Sequence, residues 1–136
     1  MKKLLDRIFI DGLGGMAQGL FATLIIGTII QQIGLFMGGG TGDLIYELGK
    51  IAAGLTGAGI GVGVARKLEA GHLVIVSAAV VGMIGAFAGK ILSGQVLVDG
   101  NLVLAGPGEP LGAFIAAYLA IEIGILVTGK TKLDII

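Results

Sequence analysis

The stretch LTGAGIGVGVA, residues 55–65, places a glycine at every second position of a segment that carries no charge. Glycine costs about 1 kcal/mol relative to alanine in a helix interior, so in a soluble protein this stretch would be a loop. The composition argues against a soluble protein, because 55% of the 136 residues are hydrophobic and only 13% are charged. The mean hydropathy is +1.02, whereas soluble domains contain about 25% charged residues. The sequence therefore predicts an integral membrane protein.

Four segments are long and apolar enough to cross about 30 Å of hydrocarbon as helices. They are residues 13–36, 44–65, 72–92 and 111–128. The second segment contains the glycine run, which removes side chains from all of its faces. Backbone uncovered in this way is tolerated at membrane depth only where it is buried in protein or lines a wet cavity. We therefore predict an all-α membrane protein with about four transmembrane helices, one of them glycine-rich and broken.

Two segments outside these spans complete a single membrane domain, 1–136. Residues 1–11 mix both signs of charge with apolar residues at helical spacing. This pattern is typical of an amphipathic helix at the membrane interface and not of a signal peptide. Residues 93–110 alternate apolar positions and contain both prolines. An outer hairpin and a re-entrant loop are both compatible with that pattern.

The positions of lysine and arginine predict the orientation, since cytoplasmic flanks retain these residues. If the N-terminus lies inside, all of the nine basic residues except Lys50 and Lys90 fall on the inner side. We therefore expect a multi-pass protein with both termini in the cytoplasm.

The composition also argues against several classes of function. The chain has no cysteine, which removes disulfides, thiolate metal sites and cysteine-based catalysis. The formal net charge is zero and no basic tract is present, so nothing indicates a nucleic-acid partner. No nucleophile–base pair, metal-ligand spacing or phosphate-binding loop is visible. We expect no catalysis, no metal and no cofactor.

The glycines have two interpretations. Small residues four positions apart, such as Gly85 and Gly89, allow helices to pack closely in lipid. The glycine run has a second interpretation, in which a broken helix presents amides and carbonyls to a polar solute, as transporters do near the midplane. Both interpretations stay open for Gly57, Gly59 and Gly61.

Three polar positions in or beside the spans are further candidates. Glu122 lies inside the fourth span, where a charge needs a partner, a bundle-facing position or protonation, so it either serves a solute site or locks helices together. Glu109, between Gly108 and Pro110, either accepts hydrogen bonds from a solute or caps the following helix. Gln18 is deep enough to bond across helices or reach a solute. The candidate solute-binding residues are Gln18, Thr56, Gly57, Gly59, Gly61, Glu109, Pro110 and Glu122.

Five stretches in order resemble one known family: GMAQGLFATLIIGTIIQQIG (15–34), LTGAGIGVGVA (55–65), GPGEPLGAFIAA (106–117), EIG (122–124) and GKTKLDII (129–136). They are similar to the N-terminal half of the phosphotransferase-system enzyme IIC family, in the branch that includes the membrane regulator of perfringolysin O production. The resemblance implies a bacterial inner-membrane permease component that moves a carbohydrate or similar small polar solute. Separate IIA and IIB partner proteins would supply the phosphoryl group.

The resemblance also sets two further expectations. Gly108, Glu109 and Pro110 match a Gly-acid-Pro element in which aspartate is the more frequent acid, so a sugar contact at Glu109 would differ in reach by one methylene. Members of this kind continue with a second membrane half, so we expect a homo-oligomer, a dimer, that buries the glycine run and Glu122 near the subunit contact. The alternatives are a non-transporting regulator, sensor or scaffold, or a half-size fragment of a permease.

Overall fold

The computed structural model describes residues 2–94, 97–104 and 106–128. Its elements are α1 (Lys2–Met37), α2 (Gly39–Gly54), α3 (Thr56–Lys67), α4 (His72–Leu92), β1 (Leu97–Val98), β2 (Asn101–Leu102) and α5 (Pro110–Thr128). Three helices, α1, α4 and α5, are long and apolar enough to cross a membrane, and α2 with α3 makes a fourth span if the bent pair is counted as one. The prediction of an all-α membrane protein is confirmed.

Helix α1 joins the predicted interfacial segment, 1–11, and the predicted first span, 13–36, in one line. It has 36 residues, so at 1.5 Å per residue it is about 54 Å long and exceeds the hydrocarbon thickness of about 30 Å. Arg7–Gly12 and Phe21–Ile25 have π-helical hydrogen bonding within it. The placement of its first residues at the membrane interface stays a prediction. Gly38, whose φ is 67°, ends α1 in a conformation that favours glycine.

The prediction that the second span is broken is confirmed, and the break falls at Leu55, the first residue of the stretch 55–65. Helices α2 and α3 meet at Leu55 with a bend of 45°, and the glycine run forms regular α-helix in α3. Gly57, Gly59 and Gly61 lie beyond the break in regular helix, and their contact with a solute stays a prediction. Across the bend, the Thr56 hydroxyl donates to the carbonyl oxygen of Ala53 at 2.6 Å.

The alternating glycines of α3 face two different neighbours. Because successive helical residues are 100° apart, Gly57 and Gly61 share one face while Gly59 and Gly63 lie nearly opposite. A Cβ on Gly61 would overlap the carbonyl oxygen of Ala78 in α4, and a Cβ on Gly63 would overlap a backbone carbonyl of α1. Helix α3 therefore fits between α1 and α4 only because both faces lack side chains, as the packing interpretation requires.

Helix α3 is the centre of the bundle and packs on α1, α4 and α5. Its Ile60 and Val64 are fully buried with Phe87 of α4 and Ile121 of α5. Helices α4 and α5 meet at Gly85, where a Cβ would lie 2.6 Å from a carbonyl oxygen of α5. The outward faces of the helices carry large exposed aliphatic side chains, which suits contact with lipid.

The second half of α1 and the whole of α2 form an antiparallel pair, named here the α1–α2 hairpin (Ile26–Met37 with Gly39–Gly54). A Cβ on Gly27 would lie 2.6 Å from the amide nitrogen of Ala53, and a Cβ on Gly34 would lie 2.6 Å from the carbonyl oxygen of Gly42. Within the described residues, α2 packs along α1 and meets α3 only at the bend. The hairpin therefore leans away from α4 and α5.

The loop between α4 and α5 contains a short β-hairpin. Val98 pairs with Asn101, and the turn residues Asp99 and Gly100 have φ values of 52° and 79°, as a type I′ turn requires. Positions 95, 96 and 105 lie outside the described residues. Whether the predicted 93–110 loop re-enters the membrane stays a prediction.

Candidate functional site

A cleft of about 720 Å³ opens where the α1–α2 hairpin leans away from the rest of the bundle. The hairpin forms one wall, and Met83 of α4 with Leu104 and Pro107 of the loop forms the other. Leu55, at the bend, lines the cleft between these walls. Small-molecule sites usually enclose about 300–1,000 Å³, so the cleft has the size of a solute site.

Polar side chains line this cleft on the hairpin side. They are Thr28, Gln31, Tyr46, Glu47 and Lys50. Lys50 Nζ lies 3.5 Å from a carboxylate oxygen of Glu47, so the two charges balance and the wall is close to neutral. Amide, phenol, carboxylate and ammonium groups together offer both donors and acceptors to hydroxyl groups. The arrangement suits an uncharged, hydroxyl-bearing solute better than an ion.

The three predicted site glycines lie in helix contacts and do not line the cleft. Gly57 and Gly61 pack on α4, where a Cβ on Gly57 would lie 2.7 Å from a carbonyl oxygen. Gly59 faces α1, where a Cβ would lie 2.5 Å from Cγ2 of Thr23. A solute would reach these backbones only if the helices separated.

Thr56 lies next to the cleft residue Leu55 and is fully buried. Its hydroxyl oxygen is 3.2 Å from the hydroxyl oxygen of Thr23 in α1. Thr56 therefore ties the bend to the first helix and does not itself line the cleft.

Glu109 caps helix α5. The amide of Leu111 donates to Oε1 at 3.0 Å, and the amide of Gly112 donates to Oε2 at 2.6 Å. Pro110 is the first helical residue, where its missing N–H group is not needed. The Glu109 amide donates to the carbonyl oxygen of Ala86 at 2.7 Å. Of the two interpretations of Glu109, the structure shows the cap.

Glu122 is paired within the chain. Arg7 Nε donates to Oε2 at 2.9 Å and Nη2 donates to Oε1 at 2.9 Å, and the Tyr118 hydroxyl donates to Oε2 at 2.8 Å. Thirteen residues of helix, about 20 Å, separate Glu122 from Glu109, so the two predicted acidic residues are not brought together. The interpretation of Glu122 as a helix lock fits this geometry.

The glycine run and Glu122, which were expected near a subunit contact, both have partners within the chain. The glycine run is covered by α1 and α4 of the same chain, and the carboxylate of Glu122 is bound by Arg7 of the same chain. Both features therefore have contacts within the chain, and a subunit contact near them stays a prediction.

None of the eight solute-binding residues predicted from the sequence lines the cleft. Gln18 is exposed on α1 outside the cleft, while Gln31 lines it. The sequence did contain a signal for part of the cleft, because the first turns of the predicted span 44–65 carry the polar residues Tyr46, Glu47 and Lys50. That signal pointed to no partner, because only the bend at the end of α2 places these residues across from α4 and the loop.

The fold is that of a polytopic α-helical membrane protein with a solute-sized cleft beside a broken helix. The model of the family described as "Phosphotransferase system, EIIC" matches residues 10–136, so the chain belongs to that family and the resemblance is confirmed. Curated proteins and solved structures gave no significant match to the chain.

Membership makes the chain a component, or part of a component, of a phosphotransferase-system sugar permease. A component of this kind belongs to the transporter and is not the subunit that transfers the phosphoryl group. With the membrane-spanning helices, the family indicates a bacterial plasma-membrane protein.

Proposed function

We propose that the chain takes part in uptake of a carbohydrate or a similar small polar solute, and that the cleft beside the α2–α3 bend binds this solute. The observation that carries the proposal is the set of polar side chains along one wall of a 720 Å³ cleft. Glu47 and Lys50 of this wall offset each other's charge, so the cleft offers hydrogen-bonding groups without a net charge.

The cleft residues suggest how a sugar would be held. The Gln31 amide both donates and accepts, Tyr46 offers a hydroxyl and an aromatic ring, and the Glu47 carboxylate accepts from sugar hydroxyls. Met83 and Leu104 on the opposite wall would pack against the apolar face of the solute. No phosphoryl chemistry is assigned to these side chains, because IIA and IIB partner proteins would supply that group.

The proposed orientation gives the cleft a direction. With both termini in the cytoplasm, the loop that contains β1 and β2 is outside, and the cleft opens beside this loop. A solute would then enter from the outer side. Thr56 would hold the bend beneath the solute, and Glu109 would fix the start of α5 beside the loop.

We further propose that the chain acts as a homodimer. The described helices leave the cleft open to one side, and a second copy would complete its wall. Native mass spectrometry of the protein in detergent and in lipid tests this point. A dimer that retains an added sugar supports it, and a monomer under both conditions contradicts it.

Uptake and equilibrium binding of a panel of radiolabelled sugars by proteoliposomes test the solute site. The wild-type protein is expected to bind at least one sugar, and Gln31→Leu is expected to weaken binding about 5- to 150-fold, since an unmade hydrogen bond costs about 1–3 kcal/mol. Gln32→Leu is the matched control, because this neighbouring amide does not line the cleft. Equal binding by both variants would contradict the assignment.

The same measurement separates transport from regulation. A permease is expected to bind and accumulate the sugar, whereas a regulator or sensor would bind it without accumulation. A scaffold would do neither.

A further inference from the structure

We propose that the α1–α2 hairpin is a rigid lid that moves over the cleft on a hinge. The hinge consists of two helical segments, one in α1 at Thr23 and the other at the α2–α3 bend beside Thr56. The role of the hairpin as a lid depends on the proposed function, because it assumes that the cleft binds a solute. The hinge itself is inferred from the helix geometry alone.

Both helical segments of the hinge depart from regular α-helix at the same level. Helix α1 has its second π-helical stretch at Phe21–Ile25. Helices α2 and α3 are bent by 45° at Leu55. The hydroxyl oxygens of Thr23 and Thr56 are 3.2 Å apart, which places the two irregularities side by side. Kinks and π-turns are the points at which helices bend and at which function often concentrates.

The helices on both sides of this level are tightly held. In the hairpin, Gly27 and Gly49 place α1 and α2 in backbone contact, since a Cβ on Gly49 would lie 2.6 Å from the carbonyl oxygen of Gly27. Below the hinge, Gly19 is in equally close contact with Gly59 of α3. Close backbone packing resists shear, so bending is confined to the level between these contacts.

The hairpin has room to move on the side of the cleft. Among the described residues, helix α2 makes few contacts with α3, and the 720 Å³ cleft separates it from Met83 and Leu104. A swing toward α4 would therefore narrow the cleft without disturbing the core around α3. Rigid-body closure on short irregular segments is a known mode of domain motion.

The hydroxyls of Thr23 and Thr56 can be hydrogen-bonded in two ways, either each to a backbone carbonyl or one to the other. Thr56 donates to the carbonyl oxygen of Ala53 at 2.6 Å, and Thr23 donates to the carbonyl oxygen of Gly19 at 2.8 Å. Each hydroxyl has one proton, so the contact between them becomes a full hydrogen bond only when one hydroxyl leaves its carbonyl. The swing exchanges one of these bonds for another, so the two positions of the hairpin differ little in hydrogen bonding.

Distances between spin labels test the hinge, and because the chain has no cysteine each introduced cysteine is unique. The pair Phe36→Cys and Leu92→Cys spans the hinge from exposed sites on the hairpin and on α4. Two control pairs lie within one body: Ile26→Cys with Phe36→Cys in the hairpin, and Val76→Cys with Leu92→Cys in α4.

We expect a broader distance distribution for the pair that spans the hinge than for either control pair in lipid. Thr23→Val should shift its mean by more than the width of the control distributions. Thr128→Val, which removes a hydroxyl that donates to the carbonyl oxygen of Ile125 within α5, should leave it unchanged. A cross-hinge distribution as narrow as the controls in the wild-type protein would overturn the hinge, even if Thr23→Val does not fold.

Sugar binding, measured on the same samples, separates this proposal from the proposed function. Sugar retention with a narrow cross-hinge distribution overturns the hinge and leaves the solute site standing. A broad distribution without retention of any sugar supports the hinge and contradicts the solute site.

Discussion

Glu122 shows how this chain accommodates a charge on an apolar helix. The carboxylate is bound at both oxygens by Arg7 and at one by Tyr118, and the side chains of the ion pair are 35% and 29% exposed. Bidentate pairs of this kind are stronger than single contacts. These contacts connect the start of α1 to the second half of α5, which supports the interpretation of Glu122 as a helix lock.

Glu122→Gln should lower the free energy of unfolding by about 1–3 kcal/mol, because Arg7 loses a charged hydrogen-bond acceptor. Arg7→Gln combined with Glu122→Gln should cost less than the sum of the two single changes, since no unpaired charge remains. Thermal unfolding in detergent measures all three variants. The matched control is Glu47→Gln, whose pair with Lys50 is 60% and 55% exposed and should contribute at most about 1 kcal/mol. Equal effects at both sites would contradict the lock.

Glu109→Ala should destabilise the protein by about 0.5–2 kcal/mol, because two amides at the start of α5 lose their acceptor. Glu109→Asp should keep most of the stability, since aspartate is among the preferred capping residues. The melting temperature in detergent reports both changes. If Glu109→Ala leaves the melting temperature unchanged but lowers sugar binding, the solute interpretation of Glu109 replaces the cap.

Among the elements, α3 shows why an apolar chain places four glycines in a transmembrane helix. Their alternate spacing leaves two opposite faces bare, and α1 and α4 each occupy one of these faces. The glycines act as contact surfaces for neighbouring backbones. The helix break lies at Leu55, between α2 and the closely packed α3.

Gly61→Ala should destabilise the protein by about 1–3 kcal/mol or more, because its Cβ would overlap the carbonyl oxygen of Ala78 and overpacking costs this amount. Gly89→Ala in α4 is the control, since its Cβ would meet open space. It should stabilise the helix by about 0.5–1 kcal/mol, the usual gain over glycine. Unfolding in detergent compares the two, and similar stabilities for the two variants would contradict the packing of α3.

Sequence patterns predicted the elements better than their contacts. Length and hydropathy located the spans 72–92 and 111–128, close to the observed α4 and α5. The spacing of Gly85 and Gly89 predicted packing at both, yet only Gly85 meets a neighbour. The difference depends on where α4 crosses α5, which is a tertiary property that spacing does not contain.

For the whole molecule, the candidate site follows from the angle between two bodies. The α1–α2 hairpin and the bundle around α3 diverge at the bend, and the cleft is the space between them. Gln31 and Lys50 line this space although they are far apart in sequence. Sequence reasoning instead expected the site around the glycine run, Glu109 and Glu122, because the direction in which the hairpin leaves the bundle at Leu55 is a tertiary property.

The orientation of the whole molecule is testable by labelling from one side of the membrane. Asn101→Cys in the β-hairpin should react with an impermeant maleimide in intact cells, since the lysine and arginine distribution predicts that this loop lies outside. Glu69→Cys, in the turn before α4, should react only after permeabilisation. Both residues are exposed, so they make a matched pair. The reverse pattern would contradict the orientation and the direction of the cleft.

The most direct test of the central claim, that the cleft binds the solute, is protection of a single cysteine by sugar. Leu104→Cys places a thiol on the wall of the cleft, and Val103→Cys places one at the neighbouring position outside it; both native side chains are exposed. A sugar that binds in the cleft should slow maleimide modification at position 104 and leave position 103 unaffected. Equal protection at both positions, or protection at neither while the sugar is bound, would contradict the claim.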